Sequence, residues 1–226
     1  MKLRLKLYPA LLLLVISCCG CFSVDVQTAV NRRGGGTRTV EIVMDPMMAG
    51  LYKKTGGSGK LFRIPGQGLQ EKPGVKLTGS AKTELDDGSL KLTWDYRTGR
   101  VELFSGENDS VIVNITRSGL WVYYEYLENI SASKPEPESP AADQNTYRIR
   151  HELSLPGQIV SHNSDSVQSG RLVWNRPLGQ VTAAGLKIEA RSRELNPWYL
   201  LLAAILLGTG GGYFYWHKVR PVNNNI

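Results

Sequence analysis

The sequence predicts an α+β, β-rich exported domain with little helix, followed by one C-terminal transmembrane helix. Three observations carry that expectation. Short apolar runs with period-two alternation recur from residue 24 to residue 190, separated by polar turns. No long helical pattern fits between residues 22 and 196. A run of 19 residues without charge, Trp198 to Trp216, closes the chain before a short basic tail.

The elements follow in order. Val24 to Val30 alternates as a half-buried strand does, Gly34-Gly35-Gly36 ends it, and Arg38 to Met44 returns as the second arm of a hairpin. Met47 to Lys54 fits one or two helical turns. Gly56 to Gly74, with its glycines and two prolines, reads as a long surface loop before a short strand at Lys76 to Gly79.

Ser89 to Trp94, Arg100 to Phe104, Ser110 to Arg117 and Leu120 to Tyr126 read as strands of an antiparallel meander. Asp86-Asp87-Gly88, Thr98-Gly99, Gly106-Glu107-Asn108 and Ser118-Gly119 supply the turns. Residues 131–143 (SASKPEPESPAAD) are poor in apolar residues and read as a disordered loop. Tyr147 to Leu155 is a strand or a short helix, and Ser139 to Leu153 is the least poor place for a longer one. Ile159-Val160, Arg171 to Trp174 and Leu186 to Ala190 complete the sheet, with Asn163 to Gly170 as a polar loop.

The two ends read as membrane-directed segments. Met1 to Lys6 is basic, Leu7 to Ile16 is apolar, and small residues and cysteines follow, so residues 1–20 form a signal peptide. Val15-Ile16-Ser17-Cys18 matches a lipobox and makes Cys18 a candidate for acylation, and Gly20-Cys21 makes Cys21 another. All three cysteines of the chain lie in this cluster, so residues 21–196 must fold without disulfides. Residues 197–217 are expected to span the membrane once, flanked by Trp198, Tyr199, Tyr213, Tyr215 and Trp216 as interfacial aromatics. Residues 218–226 would then be a cytoplasmic tail, and the bulk of the chain would lie outside the cell membrane. Arg191 and Arg193 blur the charge asymmetry that orients such a span. Gly208 and Gly212 stand four residues apart, the spacing of a helix–helix contact that could support a weak dimer.

Charge excludes one class of partner. The net charge is +7, but Lys2, Arg4, Lys6, Lys218 and Arg220 lie in the end segments. Between them 22 basic residues face 20 acidic ones, so no nucleic acid partner is indicated. No cofactor or metal set is present either. His151 and His162 are the only histidines of the expected exported domain, read as two surface residues with no cysteine partners. Thr55-Gly56-Gly57-Ser58-Gly59-Lys60 fails the phosphate-loop pattern, because Leu61 stands where Ser or Thr is needed. No nucleophile elbow occurs, so an enzyme is not expected.

The segment Trp121-Val122-Tyr123-Tyr124-Glu125-Tyr126 is aromatic on both faces of its strand. It reads either as a central strand buried on both sides or as the wall of an apolar cavity. On the second reading Trp121, Tyr123, Tyr124 and Tyr126 are the cavity-lining candidates.

Two stretches resemble the LppM-type bacterial lipoprotein domain family. Cys21-Phe22-Ser23-Val24-Asp25-Val26 is similar to the start of its mature proteins. Leu155 to Asn163, together with Gly170 to Gly179, is similar to its closing β-hairpin. The resemblance implies a curved antiparallel sheet with an apolar cavity and a non-catalytic function in binding an envelope lipid or glycolipid. It favours Cys21 over Cys18 as the acylated residue, and it leaves residues 45–145 unmatched. The alternative function is a structural or protein-interaction module of the cell envelope with no ligand cavity.

Overall fold

The computed structural model describes residues 22–54, 68–106, 109–132 and 147–219. The expected signal peptide with Cys18, the second acylation candidate Cys21, most of the expected loops at 56–74 and 131–143, and the last seven residues lie outside them.

Strand β1 (Phe22–Val30) buries every second residue, so its apolar side chains share one face. It pairs antiparallel with β2 (Gly36–Met44) over nine residue pairs, from Phe22↔Met44 to Val30↔Gly36. The turn between them is held by Asn31, whose side-chain oxygen accepts the backbone N–H groups of Arg33 at 2.8 Å and Gly35 at 3.1 Å. Helix α1 (Pro46–Lys54) follows, as its sequence predicted.

Strands β3 (Val75–Glu84) and β4 (Leu90–Thr98) form a second hairpin through the predicted Asp-Asp-Gly turn, where Gly88 has φ +81°. Residues Val101–Phe104 are a 3-10 turn rather than the expected strand. Val101 and Phe104 are both buried, and that spacing of three suits a helical turn and not a period-two strand.

Strand β5 (Ser110–Ser118) and strand β6 (Trp121–Ile130) form a hairpin with a two-residue turn, and the next described strand is β7 (Arg148–Ser154). The C-terminal part of the Ser139 to Leu153 helix candidate is therefore strand. Strands β8 (Gln158–His162), β9 (Ser166–Gln168) and β10 (Arg171–Pro177) follow, the short β9 lying inside the expected polar loop. Helix α2 (Leu178–Ala184), with no counterpart in the expected elements, leads into β11 (Leu186–Leu195) and helix α3 (Pro197–Val219).

The strands form two sheets instead of one meander. Seven are ordered β3-β4-β2-β1-β7-β10-β9, and four are ordered β5-β6-β11-β8. Strands β4 and β5, expected in the same meander, therefore belong to different sheets. Strands β1 and β7 pair in parallel, from Ser23↔Arg148 to Ala29↔Ser154, and the chain passes through β5 and β6 of the second sheet before it reaches β7. One apolar core joins the inner faces, with Val24, Val26, Val40, Ile42, Leu92, Ile149, Leu153 and Trp174 from the larger sheet. Val111, Val113, Tyr126, Leu186 and Ile188 come from the smaller one.

The C-terminal segment is helical, but the expectation of a membrane span is corrected. Among the described residues no helix is long and apolar enough to cross a membrane. The reason lies in the composition of α3. Its aliphatic run, Leu200 to Leu207, has eight residues and covers about 12 Å at 1.5 Å per residue. A hydrocarbon core is about 30 Å thick. Beyond that run stand Thr209 and the glycines at 208 and 210–212, which contribute little apolar surface. The single-pass localisation, with residues 218–226 as a cytoplasmic tail, falls with that finding. Gly208 and Gly212 both lie on α3, and Gly208 has open space where a Cβ would stand.

Candidate binding face on the four-stranded sheet

Period two divides β6 and β11 between two environments. Val122, Tyr124, Tyr126 and Glu128 face inward and are buried, as are Ile188, Ala190 and Ser192 on β11. Trp121, Tyr123, Glu125 and Leu127 alternate with them on β6, and Glu189, Arg191 and Arg193 on β11, so these residues share the outer face.

Register arranges that outer face in rows across the strands. Ser118, Trp121 and Leu195 form one row. Thr116, Tyr123, Arg193 and Gln158 form the next, and Asn114, Glu125, Arg191 and Ser161 the third. The guanidinium groups stack diagonally. Arg193 lies 4.5 Å from the centre of the Trp121 ring, and Arg191 lies 4.6 Å from that of Tyr123. Glu125 accepts the third-row charge, its carboxylate 3.3 Å from Arg191 Nε. A groove of about 480 Å³ crosses this face, lined in part by Asn114, Glu125, His162, Asn163, Glu189 and Arg191.

The four aromatic candidates therefore do not line one space. Trp121 and Tyr123 belong to the outer face, whereas Tyr124 and Tyr126 point into the core. The Tyr124 hydroxyl donates to Glu194 at 2.6 Å, and burial with that hydrogen bond pushes its pKa up to about 12.

Behind the face lies a buried polar cluster that joins the two sheets. Arg38 on β2 places one terminal nitrogen 2.9 Å and 3.0 Å from the two oxygens of Glu128 on β6. It also donates to the Tyr126 hydroxyl at 3.1 Å and, through Nε, to Thr28 Oγ1 at 3.0 Å. Its guanidinium stands 5.0 Å over the Phe104 ring. Tyr126 donates to Glu128 at 2.5 Å. Burial alone would raise the Glu128 pKa, but Arg38, His151 and the Tyr126 hydroxyl outweigh it and hold the carboxyl below its ordinary value.

His151 on β7 is not the expected surface residue, because it is fully buried. Its Nε2 is 3.4 Å from Glu128, and its ring meets Trp174 edge-on. Burial is the main reason its pKa falls to about 4, with the nearby Arg38 charge adding to the effect against the pull of Glu128. His162, by contrast, is exposed beside the groove.

The outer face can bind, and the inner cluster can hold. The exposed face offers two cation–aromatic pairs flanked by amide and hydroxyl side chains. The cluster is shut from solvent and offers no substrate access. Among the described residues no group of three or more His, Cys, Asp or Glu side chains could hold a metal ion.

In the sequence Arg191 and Arg193 show only as charges near the apolar segment. Their i, i+2 spacing within an alternating strand was the available signal for a shared face. Arg38 and Glu128, 90 residues apart, carry no local signal of their pairing.

No protein-family model matches this chain. No curated protein matches it either. Among solved structures it is similar to the folded domain of LppM from Mycobacterium tuberculosis, determined by NMR. The identity is 12% and the TM-score 0.38, with 78% of this chain and 91% of that chain covered.

Proposed function

We propose that this chain is a non-catalytic bacterial envelope lipoprotein, tethered through Cys18 or Cys21, whose β domain binds a lipid or glycolipid. The ligand's polar headgroup lies on the outer face of the four-stranded sheet. The observation that supports this most is the pair of stacks, Arg193 on Trp121 and Arg191 on Tyr123, beside exposed Asn114, Thr116, Gln158 and Ser161. Headgroups present hydroxyls and charges that amide, hydroxyl and guanidinium groups satisfy, while ring faces cover their apolar edges. An acyl chain threaded between the sheets is not part of the proposal, because Trp174, Tyr124, Tyr126 and Phe104 are fully buried there.

Native mass spectrometry of the full chain, extracted in mild detergent, tests the reading. A co-purifying lipid that is lost in Trp121→Ala with Tyr123→Ala is the expected result. No bound lipid, and no uptake from a total envelope extract, would overturn it.

A protein-interaction module is the second reading, favoured by the filled interior and by β3. That ten-residue strand stands at an edge of the larger sheet, and most of its residues are exposed. Crosslinking that captured an envelope protein along β3, in a preparation free of lipid, would move the weight to it.

A further inference from the structure

We infer that Arg193 is an anion anchor, and that the headgroup it takes is a phosphodiester or phosphomonoester of net negative charge. The inference rests on the proposal that the outer sheet face receives a headgroup.

The charge pattern of the face singles out this residue. Lys187 pairs with Glu189, and Arg191 pairs with Glu125. Glu194, next in sequence to Arg193, turns to the other side, where Tyr124 donates to one oxygen and Arg32 to the other. Among the described residues, no carboxylate lies within ion-pairing distance of Arg193. Its Nε is also buried without a hydrogen-bond partner. With no ion-pair partner among the described residues, the group favours an oxyanion at its terminal N–H groups, the buried Nε lying out of a surface ligand's reach.

Geometry suits the same ligand. The Arg193 guanidinium carbon lies over the Trp121 ring, 4.5 Å from its centre, so the ring covers one side of the group and leaves other donors for a ligand on the sheet surface. Arg191 follows two residues earlier on the same face, about 7 Å away along the strand. One phosphate can therefore lie against Arg193 while its neighbouring oxygens reach the Arg191 row. Thr116 and Gln158 stand in the Arg193 row and offer hydrogen bonds to ester or sugar oxygens.

The rim next to this row is apolar. Leu195 is paired with Trp121 and is 47% exposed, Leu120 is 54% exposed, and Trp198 at the start of α3 is 71% exposed. A charged row bordered by an apolar rim is the pattern a phospholipid presents in reverse, so a lipid headgroup is the source to which the inference commits.

The test titrates the full chain with three vesicle types: phosphatidylcholine alone, phosphatidylcholine doped with anionic phosphatidylglycerol, and phosphatidylcholine doped with uncharged digalactosyldiacylglycerol. The apolar surface of α3 contributes equally to all three, so the difference between them isolates the headgroup. Tighter binding to the anionic vesicles is expected, falling about ten- to a hundred-fold in Arg193→Ala. Arg193→Lys should lose most of the same advantage, because an ammonium neither stacks nor forks. Arg97→Ala removes one exposed charge from the other sheet and should change nothing. Circular dichroism establishes that each variant folds.

Equal binding to anionic and uncharged vesicles would overturn the anion anchor. If the glycolipid vesicles then still exceeded phosphatidylcholine, the lipid-binding proposal would survive without it. If no doped vesicle exceeded phosphatidylcholine, both would fail. Inorganic phosphate that bound Arg193 as tightly as the anionic vesicles would support the anchor and assign it to a free anion, against the lipid source.

Discussion

Arg38 and Glu128 lie on different sheets and meet in the core, where one guanidinium nitrogen is 2.9 Å and 3.0 Å from the two carboxylate oxygens. Both side chains are at most 5% exposed. With Tyr126 and Thr28 satisfying further donors, this pair fixes how the four-stranded sheet sits on the seven-stranded one. A buried pair of this kind costs desolvation and returns it only while both partners remain.

Removing one partner should therefore destabilise strongly. Glu128→Ala leaves the Arg38 charge buried and unpaired, and should cost about 3–5 kcal/mol in urea unfolding. The double variant Arg38→Met, Glu128→Leu should recover a large part of that loss. A double variant as unstable as the sum of the single ones would show that the two residues act independently.

Stability should decline on acidification, and His151 should carry an identifiable share. Its pKa is about 4 in the folded chain against an ordinary 6.5, so the unfolded chain binds its proton first. The contribution is fully present above pH 6.5, decreases as pH falls toward 4, and amounts to about 3 kcal/mol when lost. Glu128 acts in the same direction, since its lowered pKa makes stability fall below the ordinary carboxylate range. Urea midpoints for the parent and for His151→Leu, taken between pH 7 and pH 4.5, separate the two effects. The variant should show a much flatter dependence across that window, and an unchanged slope would contradict the assignment.

Gly157 should resist substitution. It has φ +78°, and a Cβ there would collide with the carbonyl oxygen of Arg193. The same turn is tied down by Ser192, whose hydroxyl donates to the Pro156 carbonyl at 2.6 Å. Gly157→Ala should lower stability by about 1–3 kcal/mol, read as a drop in Tm. It should also weaken anionic vesicle binding, because the collision displaces β11 at Arg193. A variant with parental Tm would show that the turn relaxes freely.

The sequence by itself determined the β-rich character, the first hairpin, the Asp-Asp-Gly turn and the faces of β6. Each is a local consequence of period-two burial or of turn chemistry, readable within about ten residues. It did not separate strand from 3-10 turn at Val101–Phe104, where four residues are too few for a period to declare itself. Nor did an unbroken lack of charge from Trp198 to Trp216 decide a span, because glycine and threonine are uncharged without being apolar.

Only the tertiary structure decided which strands share a sheet, that β1 and β7 run parallel, and that His151 is buried. It alone brought Arg38 to Glu128 and set Arg193 over Trp121. Those relationships join residues tens of positions apart, and their energy comes from burial and charge in a shared space. No alternation along the chain encodes them, since each strand alternates alike whichever partner it finds.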